Sequence, residues 1–518
     1  MEDIAIPLAL LAASLTIYYL YTQFLTKNFD FWNSQNVPYV PPRPIFGSAE
    51  FSKPLHETET EWYRKYGRIY GRFEGSRPVL SVGDPDVLKR VLVKDFNIFP
   101  NRRDMKFHDP IMDNTLFVLE GEAWKRVRNT VTPTFTTSKL KRMMPLMSEC
   151  TDLLIDGLSE CVQKEKSVHC QKYVEGFVLS AIGRCAFGMT INSLKNPNNE
   201  FTEKAKKLFS EVLSWRTCIT LFFPCLMKLF RIKLLNPETT NFYRKIVIQV
   251  LEERKNLHVV KDDFLQMLLD AENAKEDSNN NGQDTVCERP NCNSNGSLIS
   301  KPKDKGLSHE EMLSQCITFF IAGFDATTSL LSHVFYQLAV HPNYQETLME
   351  EIYNALDNHD GELSYEALSE MKFMDAVLSE CQRMCPAMVR NERRAAQDYY
   401  IKDQNILLKK GMIVSIPVYA VHHDPEWYPE PHLFKPERFH HPDPNRPQYV
   451  HMPFGGGPRI CVGMRFVQVQ VKLCLAKVLM KFQILPAPTT PSTLEYTESR
   501  NILKVNDVEV CLKERSSN

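Results

Sequence analysis

The order of apolar and polar positions predicts a mainly helical chain with small sheets. Apolar residues recur every three or four positions across residues 138–257 and again across 308–340, which is the spacing of helices that pack on one face. Residues 69–73 and 78–82 alternate and are rich in strand-forming side chains, so they predict a strand pair. The tail, residues 502–512, predicts strands again.

The N-terminal segment is long and uncharged. Residues 4–26 carry no charged side chain, and Lys27 ends the run. About 20 apolar residues in a helix span a bilayer, so residues 1–26 predict a membrane anchor. A cleaved signal peptide is the alternative, but Glu2 and Asp3 stand where such peptides carry basic residues. Acidic residues before the run and Lys27 after it indicate a cytosolic body.

The remainder divides into a hinge and one large body. Residues 27–47 include four prolines within residues 38–44, which prevent a helix and predict a rigid spacer. We expect a single catalytic domain over 48–518, with a polar surface insert at 273–305 that lacks the apolar residues to order itself. Residues 215–235 are strongly apolar around a proline, which fits either a buried helix junction or a membrane-dipping segment at a substrate entrance.

Composition and charge exclude some classes of protein. The chain has 518 residues, 43% of them hydrophobic, which suffices for a large core. Its 62 basic and 63 acidic side chains give a net charge of −1, without the basic excess of a nucleic-acid-binding protein. The 14 cysteines include no paired CxxC motifs, which argues against a zinc site. We expect buried free thiols, as in a reducing cytosol, rather than disulfides.

The residues with the clearest chemistry are Phe454-Gly-Gly-Gly-Pro-Arg-Ile-Cys461-Val-Gly463. The glycines and the proline favour a tight backbone path, and an apolar, helix-like stretch follows at 464–482. A cysteine at a helix N-terminus beside Arg459 favours the thiolate form. A single thiolate without a partner cysteine or histidine nearby indicates haem iron rather than zinc.

The pattern Phe-x-x-Gly-x-Arg-x-Cys-x-Gly resembles the haem-binding loop of the cytochrome P450 family at all of its fixed positions. The resemblance implies a mainly α fold with small β-sheets (α+β), in which haem b lies between a long central helix and the cysteine loop, with Cys461 as the metal ligand. The runs Phe99-Pro-Asn-Arg-Arg, Trp124-Lys-Arg-Val-Arg and Gly463-Met-Arg-Phe look closest to the animal family-3 branch. Members of that branch oxidise lipophilic foreign compounds and steroids.

The resemblance also implies roles for individual residues. The side chains expected to bind the haem propionates are Trp124, Arg128, Arg102, Arg393 and Arg459. A buried structural triad is expected from Glu380, Arg383 and Arg438. The substrate-facing residues are expected to be Phe117, Ile321, Ala322 and Met388.

The proposed oxygen site departs from the family pattern. The run Ala322-Gly-Phe-Asp-Ala-Thr-Thr328 resembles the family segment in which an acid and an alcohol deliver protons. Asp325 supplies the acid, and Gly323 is expected to let a ligand approach the backbone. Ala326 occupies the usual threonine position, and Thr327 follows it, turned by about 100° on a helix. Thr327 could supply the alcohol only if the helix is locally distorted or if water fills the gap. On that condition the catalytic candidates are Asp325 and Thr327, and we expect poor coupling between NADPH use and product formation.

The implied function is a haem-thiolate monooxygenase that inserts one oxygen atom from O2 into xenobiotics, steroids or fatty-acid-like compounds. Electrons would come from NADPH through a separate reductase, with cytochrome b5 as a second candidate partner. Five basic side chains are candidates for a docking face toward an acidic reductase: Lys125, Arg126, Lys139, Lys141 and Arg142. The expected location is the endoplasmic reticulum membrane, with the catalytic domain on the cytosolic side. We expect the other partners to be the lipid bilayer and a small lipophilic substrate, not a nucleic acid.

Two other functions are compatible with the sequence. Ala326 favours a haem-thiolate isomerase, similar to thromboxane synthase, which would rearrange a lipid endoperoxide without NADPH or dioxygen. Asp325 and the remaining motifs weigh against that alternative. A non-catalytic haem- or lipid-binding protein would keep the same cysteine, triad and arginines.

Overall fold

The computed structural model of the chain describes residues 2–105, 107, 109–191, 193, 200, 202–204, 207, 237–257, 261–270, 307–499 and 502–515. The sequence expectations for 215–235 and for 273–305 fall outside these residues.

Helices form most of the described chain, as the apolar spacing predicts. The helices are Glu2–Thr26, Leu55–Tyr66, Pro85–Lys89, Pro110–Asp113, Gly121–Val131, Thr137–Gln163, Cys170–Phe187, Pro237–Leu257, His309–Val340, Pro342–Asp357, Tyr365–Glu370, Lys372–Met384, Val418–His422, Glu437–His440 and Met464–Lys481. We refer to His309–Val340 as the central helix and to Met464–Lys481 as the cysteine helix. The central helix begins with a capping box in which the Ser308 hydroxyl accepts from the Glu311 backbone N–H.

The strands are short and form small sheets. They are β1 Ile69–Glu74, β2 Arg77–Val82, β3 Val168–His169, β4 Asn391–Arg394, β5 Tyr399–Ile401, β6 Ile406–Leu408, β7 Ile413–Ile416, β8 Phe482–Pro486, β9 Tyr496–Ser499, β10 Ile502–Val505 and β11 Glu509–Glu514. The largest described sheet has the order β1-β2-β7-β4, with β2 and β7 parallel. The other described sheets are β3-β11-β8, β9-β10 and β5-β6. The predicted strand pair and the strands of the tail are thus confirmed.

An aromatic contact sets the spacing between the two helices that frame the site. The Phe319 ring of the central helix meets the Phe466 ring of the cysteine helix edge-to-face, with centroids 5.0 Å apart. Phe319 also stacks on Phe264 at 4.9 Å. Edge-to-face and offset aromatic pairs add specific geometry to apolar burial. This cluster therefore holds the loop of Cys461 at a fixed distance from the middle of the central helix.

The proline-rich segment after the N-terminal helix is attached to the body. The Val40 N–H donates to the Gly71 carbonyl at 2.9 Å, and the Gly71 N–H donates to the Pro38 carbonyl at 2.8 Å. Trp32 is fully buried, and a Cβ at Gly71 would overlap its indole ring. The expected spacer is therefore docked on β1, which fixes the direction in which the N-terminal helix leaves the body.

Two further sequence expectations concern the membrane and the cysteines. Among the described residues, the segment that is long and apolar enough to cross a bilayer is Glu310–Val340. Its most apolar stretch is 61% buried inside the protein, as expected of a core helix. The helix Glu2–Thr26 exposes large apolar side chains, including Leu15 and Phe24. The cysteines of the described residues are free, and most of them are buried, as predicted.

Candidate active site

The loop that carries Cys461 requires glycine at defined positions. Gly455 and Gly457 have φ values of 77° and 68°, a region that L-residues with a side chain rarely adopt. A Cβ on Gly457 would also collide with the Leu92 carbonyl oxygen. The turn closes when the Cys461 N–H donates to the Phe454 carbonyl at 2.9 Å. These constraints present the thiol at the start of the cysteine helix.

The Cys461 thiol is accessible to solvent, yet protein atoms crowd it on the other sides. This crowding raises the pKa of the thiol, and the backbone N–H groups of Gly463 and Met464 and the charges of Arg102 and Arg128 oppose the rise. Arg459, expected from the sequence to favour the thiolate, instead donates to the carbonyls of Pro100 and Leu119. The helix N-terminus therefore acts on the thiol as expected, whereas the charge comes from different arginines.

Four arginines gather near Cys461, and within the described residues none of them forms a salt bridge with a carboxylate. Burial and repulsion from Arg102 and Arg459 lower the pKa of Arg393 to about 9. Burial and repulsion from Arg102 also lower the pKa of Arg459 to about 9, although Glu120 partly offsets the effect. Burial lowers the pKa values of Arg102 and Arg128, and Cys461 partly offsets it in both. The cluster concentrates positive charge where little water reaches it. Because unpaired buried charge is costly, the cluster favours the binding of an anionic ligand.

Unsatisfied donors within this cluster identify where an anion fits. Arg393 Nε and Arg459 Nη1 are buried and have no hydrogen-bond partner among the described residues. The Arg459 guanidinium lies over the Trp124 ring at 4.1 Å, which brings the predicted Trp124 into the same cluster. Haem carries two propionate groups. These are carboxylates, which unpaired guanidinium groups bind well. The residues present therefore fit a haem whose iron Cys461 would ligate.

A neighbouring charge network shows that the imbalance is local. Arg103, next to Arg102 in the chain, binds Glu74 at 2.5 Å and Glu392 at 2.7 Å. Glu392 in turn precedes Arg393 on β4, where successive side chains point to opposite faces. One face of this segment is thus neutralised by internal ion pairs, and the other face presents the arginines that lack them.

The predicted triad is brought together in the core. The Glu380 carboxylate binds the Arg383 guanidinium in bidentate fashion, at 2.7 and 2.8 Å, and both side chains are 0% exposed. Arg438 Nε lies 3.3 Å from Glu380 Oε1. The Lys435 backbone N–H also donates to that oxygen, at 3.0 Å. Paired and hydrogen-bonded in this way, the buried charges are compatible with a structural role.

The central helix exposes one face in the region of the oxygen motif. Ala322 is exposed, whereas Asp325 and Ala326, one turn later, are half-buried on the same side. Thr327 is 0% exposed, and its hydroxyl has no partner among the described residues. The helix is regular α through this point, so Thr327 is turned away from Ala322. The regular helix shows no local distortion that would bring Thr327 to the site, and its role as the catalytic alcohol stays a prediction.

Gly323 packs closely against a neighbouring helix. A Cβ at Gly323 would lie 3.0 Å from Cδ1 of Ile182, on the helix Cys170–Phe187. The glycine therefore permits close packing of two helices, which is a structural reason for the small residue. Ala322, which precedes it, is exposed.

The residues expected to face substrate, which remain a prediction, are apolar and differ in exposure. Phe117 is 38% exposed, and Arg102 lies over its ring at 4.5 Å. Met388 is half-buried and forms a bridge with Ile502 of β10. Ile321 is partly buried against the helical core, next to Ala322. The set thus combines apolar side chains from the central helix, the Phe117 segment and the segment before β4.

Sequence reasoning missed three residues that position this site. Gln315 of the central helix accepts from the Leu116 N–H at 3.1 Å and donates to the Asn114 carbonyl at 2.8 Å, which fixes the segment of Phe117. His422 connects the triad to the cysteine loop, and Lys504 binds Asp325. No motif marks them, because each acts through a contact with a residue distant in the chain.

Comparison with known proteins agrees with this site. The family model for cytochrome P450 matches residues 37–511. Cytochrome P450 3A5 from Homo sapiens is 34% identical over 495 residues, covering 94% of this chain and 92% of that protein. Cytochrome P450 9e2 from Blattella germanica is 34% identical over 507 residues, covering 91% of each. Cytochrome P450 3A29 from Sus scrofa is 35% identical over 499 residues, covering 94% of this chain and 92% of that protein.

The match extends from the docked proline-rich segment to β11, and it includes the glycine loop, the arginine cluster and the buried triad. The enzymatic class follows from the family, because cytochromes P450 use haem iron bound by a cysteine thiolate. The chain belongs to the cytochrome P450 family and is a haem-thiolate monooxygenase.

Proposed function

We propose that this monooxygenase is anchored in the endoplasmic reticulum membrane and oxidises small lipophilic compounds, with electrons from NADPH delivered by a separate reductase. The observation that carries the proposal is the exposed position of Ala322 on the central helix, taken with the apolar residues Phe117, Ile321 and Met388 that the family resemblance assigns to substrate. Concave sites lined mainly by apolar side chains bind lipophilic ligands.

The haem, when bound through Cys461, supplies dioxygen activation and the transfer of one oxygen atom to the substrate. The protein residues have separate tasks in this proposal. Arg102, Arg128, Arg393 and Arg459 hold the propionates, and Trp124 supports Arg459. Apolar side chains around Ala322 hold the substrate and exclude water. Asp325 passes protons from solvent to the oxygen site.

The helix Glu2–Thr26 supports the membrane part of the proposal. Its described side chains expose Leu11, Leu15 and Leu20 to the surroundings, which a bilayer would cover. The docked proline-rich segment then fixes the body relative to this anchor. Protease protection of the body in sealed microsomes tests the orientation: digestion from outside supports a cytosolic body, and protection contradicts it.

The basic face proposed for the reductase is less positive than the sequence suggests. Arg126 pairs with Glu311, Lys141 with Glu366 and Arg142 with Asp262. Lys125 remains 63% exposed, with Glu122 at 4.0 Å. We therefore expect this face to affect mainly the rate of association with a reductase, because charges at the rim of an interface act mostly on that rate. Cytochrome b5 is a second candidate partner for the same face.

An isomerase acting on a lipid endoperoxide is the second candidate, because Ala326 and the buried Thr327 leave the accessible helix face without the usual alcohol. The two functions differ in what they consume. Product that requires NADPH and a reductase supports the proposed monooxygenase. Product formed from an endoperoxide alone, without NADPH, supports the isomerase.

A further inference from the structure

A lysine from the C-terminal hairpin binds the acid of the central helix. Lys504 Nζ lies 2.7 Å from Asp325 Oδ1, and the two side chains are 29% and 12% exposed. The other carboxylate oxygen, Oδ2, is buried and has no hydrogen-bond partner among the described residues. The two oxygens of Asp325 are therefore distinct: one is held by a cation, and the other faces inward.

The register of β10 determines where this lysine lies. Leu503 and Val505 are 0% and 6% exposed, so the alternation of the strand places Lys504 on the more open side. The Val505 N–H donates to the Ser329 hydroxyl at 3.1 Å, one helical turn after Asp325. Lys504 and Val505, two successive residues of β10, thus contact two successive turns of the central helix. The strand therefore fixes the position of the Lys504 backbone relative to Asp325.

The charge on Asp325 depends on this contact. Burial raises the pKa of the Asp325 carboxyl, and the Lys504 ammonium opposes the rise. Glu175, on the helix Cys170–Phe187, faces the same carboxyl and raises its pKa further. Lys504 from the hairpin and Glu175 from the neighbouring helix thus act on Asp325 in opposite directions.

We propose that Lys504 is a positioning residue that holds the Asp325 carboxylate through Oδ1, so that the inward-facing Oδ2 is the oxygen from which a proton passes to the oxygen site. The inference rests on the proposed monooxygenase function. Each turnover consumes O2, two electrons from NADPH and two protons, and yields oxidised substrate and water. Asp325 takes up each proton from solvent and releases it toward the oxygen site, so the carboxylate is regenerated.

The hairpin also links this acid to substrate. Ile502 forms a bridge with Met388, which is expected to face the substrate, and the Leu503 N–H donates to the Ala387 carbonyl at 3.3 Å. A substrate that displaces β10 would lengthen the Lys504–Asp325 contact.

The first test compares Lys504→Met and Lys504→Arg in the full-length, haem-loaded protein. We expect the acid limb of the pH profile for product per NADPH to move upward by about one pH unit or more in Lys504→Met, since an opposite charge at this distance shifts a pKa by that amount. Lys504→Arg, which keeps the positive charge, should show the wild-type profile. Lys513→Met, on exposed β11, is the matched control and should leave the profile unchanged.

The second test does not depend on turnover. Unfolding midpoints of Lys504→Met, Asp325→Asn and the double variant form a cycle, in which a direct contact gives non-additive changes. Additive midpoints, together with an unchanged pH profile in Lys504→Met, overturn the proposal. If wild type forms no product with any donor, the proposed function fails, while the cycle still reports whether the lysine holds the acid.

Discussion

The Met452 backbone N–H donates a hydrogen bond to Nε2 of His422 at 2.9 Å. Because Nε2 accepts, Nδ1 carries the hydrogen and donates to the Arg383 carbonyl oxygen, 3.3 Å away. The Arg383 guanidinium in turn donates to the His422 carbonyl at 2.9 Å. This buried histidine therefore joins the Glu380–Arg383 pair to the start of the glycine loop that carries Cys461.

Removing the acceptor at His422 should weaken the cysteine loop. In His422→Phe, the Met452 N–H is left buried without its partner, which costs about 1–3 kcal/mol. We expect a lower unfolding midpoint and a lower fraction of haem-loaded protein, measured by absorbance and by the carbon monoxide difference spectrum. His422→Gln, which keeps an acceptor oxygen, should recover part of the loss. Equal haem loading in His422→Phe and wild type would contradict this account of the loop.

Buried neutral histidines should make the protein sensitive to acid. Burial lowers the pKa of His333 to about 3 and holds that of His422 well below its usual range. In the unfolded chain a histidine titrates near pH 6.5, so below that pH the unfolded state binds protons that the folded state does not. Stability is therefore complete above about pH 6.5 and falls as the pH drops toward 3, by about 1.4 kcal/mol per pH unit for each such histidine.

The variant His333→Gln isolates this effect. Its unfolding midpoint should fall less steeply between pH 7 and pH 5 than that of wild type, because one fewer histidine takes up a proton on unfolding. His441→Gln, at an exposed position, is the control and should keep the wild-type slope. Identical slopes for wild type and His333→Gln would show that His333 is not held neutral.

The arginine cluster predicts opposite effects with and without haem. In Arg393→Met, loss of a buried cation that repels Arg102 and Arg459 should leave the haem-free protein as stable as wild type or more so. The haem-bound protein should lose about 1.5–3 kcal/mol, the value of a hydrogen bond to a charged group. Thermal unfolding of both forms measures the difference.

Arg394 provides the comparison, because it lies beside Arg393 and already binds Glu120 at 2.5 Å. Arg394→Met should change the haem-free and haem-bound midpoints by similar amounts. If Arg393→Met also lowers the unfolding midpoints of the haem-free and haem-bound forms by similar amounts, Arg393 stabilises the protein fold and does not bind the haem.

The departure at Ala326 predicts incomplete coupling. Ala326→Thr places a hydroxyl on the accessible side of the central helix, one turn after Ala322, and should raise the product formed per NADPH consumed. Thr327→Val should have no effect on that ratio, because its hydroxyl is fully buried on another side. Both ratios, together with released hydrogen peroxide, are measured in the same reconstituted system. Equal coupling in Ala326→Thr and wild type would show that the residue at position 326 does not limit the product formed per NADPH consumed.

Local patterns explain which features the sequence predicts well. The helix that begins at Ser308 follows from a capping box and helical spacing, and the turn before Cys461 follows from its glycines. The family resemblance brings together Glu380, Arg383 and Arg438 because the motif fixes their order. These features depend on neighbours in the chain or on a motif that spans them.

Contacts between distant segments explain what the sequence does not show. Thr327 was expected to supply the alcohol only if the helix were distorted or water filled the gap; the helix is regular and buries Thr327, and only the packing of neighbouring elements shows which face is open. Lys504 has no motif, and its contact with Asp325 depends on the register of β10 against the central helix. Gly323 matches the family motif, yet its small size serves the packing against Ile182.

The central claim, that this chain inserts oxygen from O2 into lipophilic substrates with electrons from NADPH, is tested most directly with isotopically labelled dioxygen. Membranes that hold the protein and a reductase are given a panel of lipophilic substrates, with and without NADPH, and Cys461→Ser serves as the control that lacks the thiolate. Labelled product that appears with NADPH, and only with intact Cys461, is the predicted result. Unlabelled product formed from a lipid peroxide without NADPH would contradict the account and assign an isomerase.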